Sequence, residues 1–222
     1  LNALYVDVDK LPEFQLDAAT RDALVPLRAG EIVDYVAVAS LKWQALRAAF
    51  AAFKAHATPA RRQAFDAFRA EQGPLLSRFA CFEMLRHKFG KPWWEWPAEW
   101  RQPDDAGCAA LRDGAEADEV AFVEFVQWTA DRQLGGAADM VAQVAANHRG
   151  AADLARKLGM KVGLYLDVAV GVQSDGFDAW NEQAAISRHL GVGAPPDPLN
   201  TAGQSWGLAG FNAAGLELQS FA

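Results

Sequence analysis

The chain has little of several things, and each shortage excludes a class of protein. Its 222 residues hold two cysteines, Cys81 and Cys108, too few for a disulfide framework in a chain this long. Lys and Arg number 21 against 28 Asp and Glu, giving a formal net charge of -7. A nucleic-acid partner would want a basic stripe instead, so none is expected. No apolar run reaches the length of a membrane span. Asp7, Asp9 and Lys10 interrupt the N-terminus before any apolar run forms, which reads against a signal peptide. The four histidines, at 56, 87, 148 and 189, are scattered without metal-ligand spacing, so no metal is expected. What remains suits a soluble, cytoplasmic protein: 51% hydrophobic residues and 22% charged ones promise a packed core. Both ends read as cut from something longer, since Leu1 has no Met before it and Leu216 to Ala222 stop without a polar tail.

The first two thirds read as helical. Residues 3–8 alternate like a short strand, ended by Pro12. Asp34 is a plausible N-cap, and Val36, Trp43, Leu46, Phe50 and Phe53 then recur as an amphipathic stripe. Thr58-Pro59 restarts a helix, with Thr as cap and Pro at the first helical position. Phe65 and Phe68 share a face there, and Gly73 stops it. Leu75, Phe79, Phe82, Leu85 and Phe89 mark the next helix, ended by Gly90. Residues 91–100 carry four tryptophans and two prolines. They form either an aromatic platform or a clamp of indoles that fixes a Pro-rich connection onto the helices, and the many Phe faces nearby favour the clamp. Asp118 can cap a long helical run to about Leu158, with Phe122, Phe125, Trp128 and Leu134 buried and Gly135-Gly136 dividing or bending it.

Then the texture changes. Residues 161–172 are β-rich and apolar almost throughout, as in a strand covered on both faces. Asp167 interrupts them. A carboxylate at the end of a buried parallel strand is costly unless paired or working, so Asp167 either lines a site or caps the next turn. Asp178 to Ile186 reads as a short helix. From Gly191 to Gly207 the chain holds four glycines and three prolines in seventeen residues, which predicts a long shaped loop and neither a helix nor a central strand. Gly203 and Gly207 bracket Gln204 and Trp206. An apolar ring face and an amide together recognise sugars; the competing reading has Trp206 plugging the core.

At these residues the sequence resembles a known family. Gly163-Leu-Tyr-Leu-Asp-Val-Ala-Val-Gly-Val172, Ala179-Trp180, Gly193-Ala-Pro-Pro-Asp197 and Gly203-Gln-Ser-Trp-Gly207 are similar to the 4-alpha-glucanotransferases, the amylomaltase or disproportionating enzymes. Leu1 to Val8, Trp94-Glu-Trp-Pro97 and Gln127-Trp128 are similar too. Leu166, where many members carry a polar residue, and Leu208-Ala209, in place of the commoner Asn-Pro or Leu-Pro, depart from the pattern.

The resemblance implies an α/β chain, part of a (β/α)8 TIM barrel dominated by an inserted, mainly helical subdomain. Residues 1–9 would be a barrel-edge segment, 10–150 the helical insertion, and 151–222 a partial barrel with strand 161–172, a helix and a glucan-binding loop at 191–212. It implies transfer of α-1,4-glucan segments to glucose or maltooligosaccharide acceptors by a retaining double displacement, with no cofactor and no metal. The family's nucleophile, acid and transition-state-stabilising carboxylates match no residue here, so no catalytic residue is assigned and the segment alone should not turn over. Asp167 corresponds to the strand-end carboxylate that holds a sugar. Gln204 and Trp206 correspond to loop residues on the glucan, and Asp197 to the loop's acid. The competing class is a non-catalytic helical module that binds glycans or a partner.

Overall fold

The structure is a computed structural model and describes residues 1–147 and 171–220. It divides into two compact units: residues 1–73 with 121–165, and residues 74–120 with 166–222.

The first unit is helical. Helices α1 (Ala18–Ala29) and α2 (Tyr35–His56) begin on aspartates whose side chains accept backbone N–H groups, Asp17 from Thr20 and Asp34 from Ala37. Such caps satisfy donors that a helix leaves open at its first turn. Helix α3 (Pro59–Phe89) starts as the sequence predicts: the Thr58 hydroxyl accepts from Arg61 N at 3.2 Å. It kinks at Gly73 (φ 57°, ψ -141°), where Pro74 opens the next helical stretch. The long helix α5 (Ala117–Asn147) runs through Gly135 and Gly136, and Asp118 lies in its first turn rather than ahead of it. Leu134 and the run beyond Asn147 lie outside the described side chains and residues.

The core of this unit is aromatic. Leu46, Phe50 and Phe53 of α2 are buried, with Phe65 of α3 and Phe122, Phe125 and Trp128 of α5. Their ring centroids lie 5.1–6.3 Å apart, mostly tilted or edge-to-face, the arrangement the ring quadrupoles favour. Val36 and Trp43 belong to the predicted stripe by spacing, yet both are exposed, at 82% and 41%. The N-terminal residues form two short 3-10 turns (Ala3–Tyr5, Val8–Lys10), not the strand that their alternation predicts. Two amides of α5 decide this: Gln127 donates to Leu1 O, and Gln133 both donates to Asp7 O and accepts from Asp7 N. With its backbone bound by side chains, the segment has no need of a strand ladder.

The second unit surrounds the tryptophan-rich stretch. Trp93, Trp96 and Trp180 are buried, and each indole N–H donates to a main-chain carbonyl: Trp93 to Ser174, Trp96 to Lys91, Trp180 to Trp100. Phe82 packs against Trp96 and Trp180 at 5.4 Å. The clamp reading therefore holds for Trp93 and Trp96, while Trp94 and Trp100 stay half-buried. Helix α4 (Asp105–Asp113) is capped by Asp104.

A three-stranded antiparallel sheet completes the unit: β1 (Val172–Gln173), β2 (Ile186–Ala194) and β3 (Gln204–Phe211), in the order β1-β3-β2. Helix α6 (Phe177–Asn181) is shorter than the predicted 178–186, because Ile186 opens β2. Helix α7 (Ala213–Leu218) follows β3. The predicted loop is the larger correction. Residues 191–194 extend β2 and residues 204–207 open β3, which is the central strand; only residues 195–203 are loop. Composition misled because bulges absorb the glycines. The predicted buried strand over 161–172 falls outside the described residues except Gly171 and Val172.

Candidate functional site

The hairpin β2–β3 carries three of the four residues singled out from sequence. Gln204 pairs with Ala194 and Ser205 with Gly193, but Val192 pairs with Leu208. One step along β2 therefore spans three along β3, and Trp206 with Gly207 forms a bulge. Bulges re-aim side chains. Gly207 takes φ 68°, a left-handed conformation that an L side chain resists, and so permits this one. Gly193 has a different reason: a Cβ there would run into the Gln204 carbonyl.

The result is an exposed pair. Trp206 is 47% exposed, and its indole N–H donates to Gln204 Oε1 at 2.9 Å. Trp206 is thus no core plug. The hydrogen bond holds the amide beside the ring edge and leaves the Gln204 NH2 turned from that bond. An indole face next to an amide is suited to a sugar ring, stacking on one and hydrogen-bonding the other.

Asp197 sits in the loop that joins the strands. Its Oδ1 accepts from Leu199 N and Asn200 N, both at 2.7 Å, and its own N–H donates to Asn200 O. This is an Asx turn, which fixes the loop between Pro196 and Pro198. Asp167 lies outside the described residues, so the structure brings together Gln204 and Trp206, carries Asp197 on the same hairpin, and does not describe the fourth residue. Among the described residues no cluster of His, Cys, Asp or Glu could hold a metal ion, and no helix is long and apolar enough to cross a membrane.

The second unit also holds a cavity of about 890 Å³ that sequence reading missed. Another bulge builds it. Ser187 pairs with Gly210 and Gly191 with Ala209, so Arg188, His189 and Leu190 are extra residues on β2. They line the cavity with Trp93, Trp94 and Gln183. Residues 188–190 lie between the predicted helix, 178–186, and the predicted loop from Gly191, and carry no reading of their own in sequence. The signal that could have found them was the Arg-His pair beside a tryptophan-rich stretch almost a hundred residues away, and no spacing rule links the two.

The hairpin thus presents an aromatic face beside an amide; comparison with known proteins gives the family. A sequence model described as 4-alpha-glucanotransferase matches residues 1–222. The 4-alpha-glucanotransferase of Mycobacterium tuberculosis is 34% identical over 214 residues, covering 93% of this chain and 27% of that protein. The crystal structure of amylomaltase from Corynebacterium glutamicum aligns with a TM-score of 0.64 and 27% identity, over all of this chain and 28% of that one. Amylomaltase from Streptococcus agalactiae, solved in complex with acarbose, shares the fold at a TM-score of 0.67 and 18% identity. The chain belongs to the 4-alpha-glucanotransferase family. It spans between 27% and 42% of the length of these relatives. The alternative of a non-catalytic helical glycan-binding or interaction module is not favoured by these matches.

Proposed function

We propose that this chain is the acceptor- or donor-holding part of a 4-alpha-glucanotransferase acting on α-1,4-glucans, with glucose and maltooligosaccharides as acceptors. Trp206 stacks on a glucose ring and the Gln204 amide bonds its hydroxyls. Asp197 sets the loop that leads into the strand carrying them, and Asp167 supplies a carboxylate to the same sugar. The observation that carries the reading is the exposed indole held against the Gln204 amide at 2.9 Å. The reaction would be a retaining double displacement, in which a glucan hydroxyl replaces water as the second nucleophile. Its three carboxylates would come from outside residues 1–222, since none matches here. Residues 161–172 would be a strand of a (β/α)8 barrel and residues 10–150 a helical insertion in it. The protein would act in the cytoplasm, without a cofactor.

The test uses the intact protein with maltotriose as donor and acceptor. Trp206→Ala should lower kcat/KM about tenfold or more, because stacking adds about 1 kcal/mol beyond the area it buries. Acarbose should bind correspondingly more weakly to that variant. Unchanged transfer and unchanged acarbose affinity would remove Trp206 from the glucan path.

A further inference from the structure

The 890 Å³ cavity of the second unit has a lining that does not fit a neutral glucan. In a chain with 28 acidic and 21 basic residues, its walls carry no carboxylate among the described residues. They carry two guanidinium groups, Arg101 and Arg188, and the imidazole of His189. Neither arginine has an ion pair among the described residues. Sites for neutral sugars use carboxylates to accept from hydroxyls; a site with cations and no carboxylate favours an anion.

Arg188 is also held in place. Its guanidinium lies 4.7 Å from the centroids of both Trp93 and Trp94. Two cation–π contacts orient the fork before any ligand arrives, which reduces the ordering cost on binding. A planar fork suits a phosphate, which takes two parallel hydrogen bonds from it. Arg101 is anchored as well, its Nε donating to Trp96 O at 2.6 Å, so its terminal nitrogens are the ones left for a ligand.

The polar walls supply the complementary half. Gln183 Nε2 donates to Arg101 O and Trp180 O, and Asn212 Nδ2 donates to Ala184 O. With both amide NH2 groups engaged by the main chain, the amide oxygens remain as acceptors, which suits hydroxyl donors. Trp94 is half-buried and adds an aromatic surface. The volume exceeds what bare phosphate fills and lies within the usual range of small-ligand pockets.

We propose that this cavity binds a phosphorylated hexose, with Arg188 and Arg101 on the phosphate and the amide oxygens of Gln183 and Asn212 on the sugar hydroxyls. Among the described residues of the glucan face, none of Asp197, Gln204 and Trp206 lines it. It therefore does not depend on the glucan reading.

The test is calorimetric titration of the intact protein with glucose 1-phosphate, inorganic phosphate and glucose. Glucose 1-phosphate should bind at least tenfold more tightly than either of the others. Arg188→Gln should weaken it roughly tenfold or more, the scale of a lost hydrogen bond to a charged group. Arg188→Lys keeps the charge but loses the fork, and should weaken it several-fold; it carries the test if the Gln variant melts early by circular dichroism. Trp206→Ala should leave this binding intact. No heat with glucose 1-phosphate, equal affinity for glucose, or unchanged affinity in both Arg188 variants would each overturn the proposal. Inorganic phosphate binding as tightly as the ester would overturn the sugar half of it.

Discussion

At the scale of single residues, charge placement decides most. Glu124 is 1% exposed and pairs with Arg69 Nε at 2.7 Å. Removing the arginine strands a buried carboxylate, and breaking such a pair costs more than the pair itself contributes. Arg69→Ala should destabilise the protein by about 3 kcal/mol in urea titration, and adding Glu124→Leu should return much of that loss. A double variant no more stable than the single one would show that packing of the Arg69 stem, not charge, is at stake. Asp105 makes the opposite case. Its hydrogen bonds from Arg78, at 2.6 and 3.0 Å, hold its carboxyl below the ordinary value near 3.8. A depressed carboxylate contributes stability above its unfolded value and loses it as pH falls through the folded one. The Asp105 side chain is 56% exposed, so this contribution is under about 1 kcal/mol. Asp105→Asn should therefore cost little at neutral pH and flatten the decline in stability below about pH 4. An acid limb as steep as wild type would place the titration elsewhere.

At the scale of elements, the hairpin is the sensitive one. Val at position 193 would push against the Gln204 carbonyl across the β2–β3 ladder. Overpacking of this kind costs about 1–3 kcal/mol. Gly193→Val should lower Tm, and amide exchange should rise most in peptides covering 204–211. Uniform exchange across the helices instead would mean that the strain spreads. The helices were legible because their signals are local: Asp34, Thr58-Pro59 and Gly90 act through their own backbone neighbours. Leu46, Phe50 and Phe53 were legible as core for the same reason, since 3.6 residues per turn fixes one face. The hairpin was not. Its strands are set by pairing between residues 186–194 and 204–211, and two bulges break the alternation that marks a strand in sequence. The amides Gln127 and Gln133 were silent in the same way, because their partners lie 126 residues away.

At the scale of the whole molecule, the chain divides into two units, and among the described residues each is built on indoles or phenyl rings with few buried charges. Both cysteines are buried in the second unit, Cys81 donating to the Cys108 carbonyl at 3.5 Å. Their alkylation should therefore be slow in the native protein and should accelerate together in denaturant, followed by mass spectrometry of the two peptides. Fast labelling of one alone would reveal local opening of α3 or α4. By itself the sequence determined the long helices between Asp34 and Phe89, the caps Asp34 and Thr58, the acidic balance and, through the runs at 193–197 and 203–207, the family. Those follow from local geometry and from residue identity, which need no partner. Only the tertiary structure decided that the Gly/Pro segment is a hairpin, that Trp206 lies exposed against Gln204, and that Arg188 meets Trp93 and Trp94. Those follow from contacts between distant residues, and their free energy exists only once the chain has closed on itself.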